Sequence, residues 1–201
     1  MKKLTIDFYK RENVVLIARE LLGKIIITNI DGITTSGRIV ETEAYNGITD
    51  KASHAYAGRR TTRTEPMYGS AATAYVYFCY GMHHLFNIVT NQKGIPHAVL
   101  VRAVEPLQGI EDMLIRTGKK KLDYTLTKGP GNVAKALGIN KLHTGLNLLS
   151  NTIFISEDDY AIDEAQVSSS PRIGVAYAAE DALLPYRFFI KGNPFVSAKP
   201  R

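Results

Sequence analysis

The fold is decided by three consecutive runs: AYVYFCY at residues 74–80, HLFNIVT at 84–90 and AVLVRAV at 98–104. Aromatic and β-branched residues are frequent in all three, which is typical of β-strands. A polar connection, NQKG at 91–94, joins the last two runs. We therefore predict that residues 74–104 form the core of a β-sheet.

Further strands and helices are predicted on both sides of this core. A helix over 13–22 has its apolar residues on one face and is followed by Gly23. Apolar runs and turn residues predict the other elements, which are strands at 24–30, 37–45, 152–155 and 187–190, a turn at Asp31-Gly32, and helices at 107–116 and 132–137. Strands and helices are segregated without repeats or linkers, so we expect a single α+β domain over 1–201.

Composition restricts the class of protein. The 201 residues carry a formal net charge of +6, from 25 Lys and Arg against 19 Asp and Glu, which favours a polyanionic partner. Cys79 is the single cysteine, so an intrachain disulfide or thiolate metal cluster is excluded. The N-terminus lacks the apolar segment of a signal peptide, and no apolar run reaches the ~20 residues of a membrane helix. We expect a soluble, cytoplasmic protein without membrane contact.

Two carboxylates and a phenol share one face of the strand at 37–45. Side chains alternate along a strand, so Glu41, Glu43 and Tyr45 point the same way. One interpretation is a solvated sheet face. The alternative is a site in which one glutamate is a general base and Tyr45 is a stacking surface.

Further aromatic and basic residues could form a nucleic-acid site. Tyr75 and Tyr77 share a strand face, with Tyr80 just beyond them, and His54 lies in the long polar loop 46–70. They are either half-buried or surface residues of ordinary kind, or a cluster on which bases stack, worth ~1–3 kcal/mol per base. The loop also carries Arg59, Arg60 and Arg63, for which we expect contacts with phosphates.

The segment KGPGN at 128–132 starts the predicted helix 132–137 but lacks the ending of a nucleotide-triphosphate loop. It is either a simple turn or a site where Lys128 and helix amides, that of Gly131 included, hold one DNA phosphate. His83 and His84 are adjacent on a strand and point to opposite faces, so they cannot chelate one metal ion. We expect no metal site and no cofactor.

Several separated segments together resemble the alkyladenine (3-methyladenine) DNA glycosylase family. Their order and spacing match the family from about residue 37 to residue 196. The segments are VETEAY at 40–45, His54, YVY at 75–77, YGM at 80–82, Asn87, LVRA at 100–103, Gly129-Pro130, RIGV at 172–175 and PYRF at 185–188.

The resemblance implies a DNA-repair enzyme that flips alkylated or deaminated purines out of double-stranded DNA and hydrolyses their bond to deoxyribose. It implies that Glu43 activates the water, with Arg102 and the main chain of Ile173 holding it. The product would be an abasic site. The family fold is a single mixed domain with a curved antiparallel sheet and flanking helices. We expect a monomer whose partner is damaged duplex DNA.

The resemblance also assigns the residues around the base. Tyr45, His54 and Tyr77 would form the damaged-base pocket, and Asn87 would line its floor. Tyr80 would be the wedge that enters the duplex where the base has left. His83 and His84 depart from the apolar or aromatic residues expected behind this wedge.

Two other classes of protein fit part of the pattern. A glycoside-type hydrolase could use Glu41 and Glu43 as its pair, if their carboxyl groups lie ~5–9.5 Å apart. A non-catalytic nucleic-acid-binding module would explain the charge and the tyrosines but gives no reason for Glu43 to lie among them.

Overall fold

The computed structural model describes residues 1–79 and 81–197. Over these ranges, nine strands form one antiparallel sheet. They are β1 (Lys2–Lys3), β2 (Ile25–Ile30), β3 (Ile33–Tyr45), β4 (Thr73–Cys79), β5 (His83–Thr90), β6 (His97–Gln108), β7 (Ile153–Glu157), β8 (Val167–Ser170) and β9 (Arg187–Ile190). Their order is β1-β7-β2-β3-β6-β5-β4, and β9 pairs with both β3 and β8.

Helices flank the sheet and bury their apolar faces against it. They are α1 (Ile6–Tyr9), α2 (Val14–Glu20), α3 (Ile110–Thr117) and α4 (Pro130–Ala136). Ile17 of α2, Met113 of α3 and Val133 of α4 join one core with Ile39 and Phe86 of the sheet. The predicted α+β fold with a curved antiparallel sheet is confirmed. That one domain extends over all of 1–201 stays a prediction.

Strand β3 is the centre of this arrangement, since it pairs with β2, β6 and β9. Its register with β6 is irregular: Ile39 faces Val104, Glu41 faces Ala103, and Thr42 faces Val101. Arg102 therefore has no direct partner across the pair. Such bulges redirect side chains near functional sites, and here the bulge gives Arg102 access to both glutamates of β3.

Most predicted elements are confirmed, with shifted ends. The start predicted for the helix over 107–116 is wrong, because β6 continues to Gln108, which pairs with Ser36. Gly109 then turns the chain with φ +73°, and α3 begins at Ile110. The 37–45 strand begins earlier, at Ile33, because it forms a hairpin with β2. The sequence patterns gave no indication of β1, α1 or β8, which are short.

Within the described residues, no helix is long and apolar enough to cross a membrane.

Candidate active site

Glu43 is fully buried and accepts hydrogen bonds on both carboxylate oxygens. Its Oε1 accepts from the Ile173 amide at 2.8 Å and lies 3.3 Å from Nη1 of Arg102. Its Oε2 accepts from the Tyr45 hydroxyl at 2.9 Å. All three neighbours are donors, an environment that suits an ionised carboxylate.

Glu41 is also fully buried, yet its surroundings differ. Its Oε1 accepts from Nε of Arg102 at 3.0 Å, Nε of Arg187 at 2.7 Å and the Ser197 hydroxyl at 2.8 Å. Its Oε2 accepts from the Ser197 amide at 2.6 Å. Burial raises the pKa of Glu41, but Arg102, Arg187 and the Ser197 amide outweigh it, so that pKa is lowered.

The solvated-face interpretation of these glutamates is therefore wrong, because neither side chain reaches solvent. Four hydrogen bonds from the described residues reach Glu41, three on Oε1 and one on Oε2. Both carboxylate oxygens of Glu41 therefore already accept hydrogen bonds from other groups of the protein. Glu43, in contrast, is covered by groups that line a cavity.

This cavity has a volume of about 350 Å³, within the range of small-molecule pockets. Tyr45, Tyr77, Arg102 and Ile173 are among its walls, which also contain His54, Arg63, Cys79, Leu85, Leu100, Pro130, Gly174, Val175 and Tyr177. Burial and the neighbouring Glu43 raise the pKa of Tyr45 well above its ordinary value. Its hydroxyl therefore stays protonated and donates to Glu43.

A smaller recess adjoins the cavity, and Tyr45, His54, Tyr77 and Tyr177 line both. Asn87 lines this recess and is 3% exposed. The Asn87 Nδ2 donates to the Tyr75 carbonyl at 3.2 Å and the Leu85 carbonyl at 3.4 Å. These bonds hold the amide in one orientation in the recess.

Tyr75, Tyr77 and His54 form an aromatic cluster. The His54 Nδ1 lies 2.8 Å from the Tyr75 hydroxyl, and the His54 and Tyr77 rings meet edge to face with centroids 4.6 Å apart. Arg63 lies over the Tyr77 ring at 5.0 Å. Burial, with the charges of Arg63 and Arg59, lowers the pKa of His54 to about 4, so its ring is neutral at pH 7.

A buried ion pair attaches the loop 46–70 to the site. Nη2 of Arg172 donates to Oδ1 of Asp50 at 2.8 Å, and Nη1 donates to the Ala44 carbonyl at 2.9 Å. Asp50 also accepts from the amides of Asn46 and Ala52 at 3.0 and 2.9 Å. The pair thus places the loop, which carries His54, beside Ile173.

Comparison with known proteins identifies the family of this chain. The family model for methylpurine-DNA glycosylase matches residues 7–194. The chain belongs to the methylpurine-DNA glycosylase family. Its members are DNA-repair glycosylases, so the enzyme class that the sequence resemblance implied is confirmed.

Individual relatives support the same conclusion over nearly their full lengths. A Clostridium perfringens (strain 13 / Type A) protein is 43% identical, covering 96% of this chain and 98% of its own. A Bacillus cereus (strain G9842) protein is 46% identical, with coverages of 91% and 93%. One from Desulfitobacterium hafniense (strain Y51) is 42% identical, with coverages of 99% and 100%. All three carry the provisional name 3-methyladenine DNA glycosylase.

The predicted site residues of this glycosylase come together to different degrees. The cavity is lined by Arg102, Tyr45, His54, Tyr77 and Ile173, and the adjoining recess by Asn87. Glu43 does not line the cavity but contacts three residues that do, Tyr45, Arg102 and Ile173. The proposed wedge, Tyr80, lies outside the described residues. Among the described residues, no three His, Cys, Asp or Glu side chains are grouped as a metal site requires.

The residues predicted to contact phosphates have different surroundings in the structure. Arg59 is exposed on an adjoining groove, whereas Arg63 lines the cavity itself. Arg60 is paired with Glu65 at 2.6 Å. Lys128 donates to the Pro194 carbonyl at 3.1 Å, and Gly131 packs so closely on His83 that a Cβ there would lie 2.7 Å from its ring. Their contact with DNA stays a prediction.

Sequence patterns gave no role to several residues of the site. Tyr177 lines both the cavity and the adjoining recess, and its hydroxyl donates to the Ala52 carbonyl at 3.1 Å. Asp50, Arg172, Arg187 and Ser197 fix the glutamates or the loop. Arg172 and Arg187 lie in two of the segments that resemble the family. That resemblance is the one feature of the sequence that indicated a role for them.

The neutral state of His54 predicts an acid-dependent loss of stability. The folded protein keeps this ring neutral down to about pH 4, whereas the unfolded chain binds the proton from its ordinary pKa of 6.5. The free energy of unfolding therefore falls as the pH drops through this window, and His54 has no such effect above it. We expect His54→Gln to lose less free energy of unfolding than the wild type between pH 7 and pH 4.5, measured by urea unfolding. Equal losses would show that His54 is protonated in the folded protein.

Proposed function

We propose that this glycosylase excises alkylated purines, 3-methyladenine among them, and deaminated purines from double-stranded DNA. The nucleotide is flipped into the cavity, and a water activated by Glu43 hydrolyses the N-glycosidic bond. The observation that carries the proposal is a buried carboxylate held by three donors, Ile173, Tyr45 and Arg102, that line a cavity with aromatic walls.

The aromatic walls support base flipping. Flipping costs a few kcal/mol of unstacking and unpairing, and stacking on an aromatic ring returns ~1–3 kcal/mol per base. Tyr45, His54 and Tyr77 offer ring surfaces to the cavity. The proposed wedge Tyr80 would fill the gap in the duplex. Asn87 in the adjoining recess would favour purines without a bulky exocyclic amine.

The two oxygens of Glu43 are held differently, which suggests where water binds. Oε1 is fixed by the Ile173 amide and Arg102, whereas Oε2 is bonded to Tyr45, a residue of the cavity wall. We assign Oε2 as the oxygen that receives the proton of the attacking water. When a base stacks on Tyr45, its hydroxyl moves off Oε2 and the water takes its place.

For an alkylated purine, the chemistry requires little beyond this carboxylate, whereas a neutral deaminated purine would also have to take up a proton as it leaves. A purine alkylated at N3 or N7 is cationic and leaves readily once its bond to C1′ weakens. Glu43 accepts a proton from the water as its oxygen bonds to C1′, and its negative charge stabilises the developing oxocarbenium ion. Among the described residues that line the cavity there is no lysine nucleophile, so the product would be an abasic site in an uncut strand.

The DNA backbone would be held around the cavity mouth. Phosphate groups would be bound by Arg59, by Arg63, and by Lys128 together with the Gly131 amide. Arg60 would leave its ion pair with Glu65 and bind a phosphate instead. The enzyme would act on DNA as a monomer.

The two other classes of protein explain less of the site. A glycoside-type mechanism needs two carboxyl groups facing the sugar, and Glu41 is enclosed by Arg102, Arg187 and Ser197. A module that only binds nucleic acid has no use for Glu43, whose burial costs several kcal/mol of desolvation before its partners compensate.

Glu43→Gln tests the general base. We expect base release to slow by at least ~10²-fold, the low end for general base catalysis, with the affinity for lesion-containing duplex retained. The amide can still accept from Ile173 and donate to Tyr45, so the fold should tolerate it. Single-turnover kinetics on a duplex with one ethenoadenine or hypoxanthine give the rate.

Glu41→Gln is the comparison for this experiment. It changes the neighbouring buried carboxylate, and we expect a smaller loss of rate together with a lower free energy of unfolding, because two arginines lose their anion. If Glu41→Gln slowed base release more than Glu43→Gln, the roles of the two glutamates would be reversed.

Tyr45→Phe tests the assignment of Oε2. The variant keeps the ring for stacking and removes the hydroxyl that occupies this oxygen, so we expect a single-turnover rate within about threefold of the wild type or above it. Tyr45→Ala, which also loses the ring, should slow base release by roughly 10-fold or more, from the ~1–3 kcal/mol of one stacking contact. A Tyr45→Phe rate as low as that of Glu43→Gln would mean that the hydroxyl acts in the reaction.

A further inference from the structure

The last described residues fold back onto the buried glutamates. The Ser197 amide donates to Oε2 of Glu41 at 2.6 Å, and the Ser197 hydroxyl donates to Oε1 at 2.8 Å. The same hydroxyl accepts from Nη2 of Arg102 at 3.2 Å. One serine therefore contacts both the anion and the cation of the network.

This segment is held in place independently of Ser197. Phe195 is buried, and its ring meets Tyr124 edge to face with centroids 5.4 Å apart. Asn193 donates to Glu105 at 3.0 Å, and the Pro194 carbonyl accepts from Lys128 at 3.1 Å. Ser197 is thus delivered to Glu41 by an anchored segment.

The guanidinium of Arg102 has a different partner at each nitrogen. Nε donates to Glu41 at 3.0 Å, Nη2 to Ser197 at 3.2 Å, and Nη1 lies 3.3 Å from Oε1 of Glu43. Because the guanidinium is planar and rigid, contacts at Nε and Nη2 determine where Nη1 points. The orientation of Arg102 toward Glu43 is therefore set from the side away from the cavity.

We propose that Ser197 is a positioning residue for base excision, which acts by fixing Arg102 against Glu43. The inference rests on the proposed role of Glu43 as the general base. Without the hydroxyl, Nη2 of Arg102 loses its partner in a site where this side chain is 8% exposed. The guanidinium then turns toward another acceptor, and Oε1 of Glu43 is held less firmly.

Ser197→Ala and Ser197→Thr test this proposal on the full-length protein. The alanine variant removes the hydroxyl and keeps the amide, and we expect its single-turnover rate at saturating enzyme to fall about 10-fold. The threonine variant restores the hydroxyl, and its rate should lie within about threefold of the wild type. The rate at saturating enzyme does not depend on the fraction of folded protein, so a purely structural defect would leave it unchanged. DNA affinity should change less than about threefold in both variants.

Ser170→Ala is the matched control. The Ser170 hydroxyl accepts from Nη1 of Arg187 at 3.0 Å, so it contacts the other arginine of Glu41 and lies away from Arg102. We expect its rate to stay within about twofold of the wild type.

The outcomes separate this proposal from the proposed function. If Glu43→Gln slows base release and Ser197→Ala does not, the positioning role of Ser197 is wrong and the general base stands. If Ser197→Ala and Ser170→Ala slow it equally, the loss reflects the network as a whole and the specific role is wrong. If Glu43→Gln keeps the wild-type rate, the general base itself is wrong.

Discussion

The carboxylates of Glu41 and Glu43 are buried near each other on β3, and the rest of the site depends on the arginines that balance their charge. Removing such an ion from water costs several kcal/mol, which only close and well-bonded counter-charges offset. The sheet supplies them from both sides of β3, since Arg102 lies on β6 and Arg187 lies on β9 opposite Glu43. The irregular pairing of β3 with β6 is what turns Arg102 toward both glutamates.

The two glutamate side chains are chemically identical, but they have different hydrogen-bond partners. Glu41 neutralises the two arginines and stabilises the central strand. Its oxygens already accept hydrogen bonds from Arg102, Arg187 and Ser197. Glu43 shares Arg102 with it, and its other oxygen accepts a hydrogen bond from Tyr45, a residue of the cavity wall. The Asp50–Arg172 ion pair then adds the loop that carries His54, with Ile173 beside Glu43. The two glutamates thus differ in which donors hold them: those of Glu43 line the cavity, whereas Arg187 and Ser197, which hold Glu41, do not.

The parts of the site that follow from local periodicity could be predicted from the sequence. The alternation of β3 placed Glu41, Glu43 and Tyr45 on one face, and the family resemblance separated their roles. Burial of the glutamates could not be predicted, because it depends on Arg187 and Ser197, more than 140 residues further along the chain. Asp50 and Arg172 are also distant partners, 122 residues apart in the chain. Short elements such as β8 exist through pairing with β9 rather than through a pattern of their own.

The proposed function requires that a damaged purine binds in the cavity and that its bond to deoxyribose is hydrolysed there. The most direct measurement of this reaction uses duplex DNA alkylated with a methylating agent and follows both products in one experiment. We expect free methylated purine to appear in the same amount as abasic sites, and the strand to be cut only after alkali. Strand cleavage without alkali, or abasic sites without released methylated base, would contradict it.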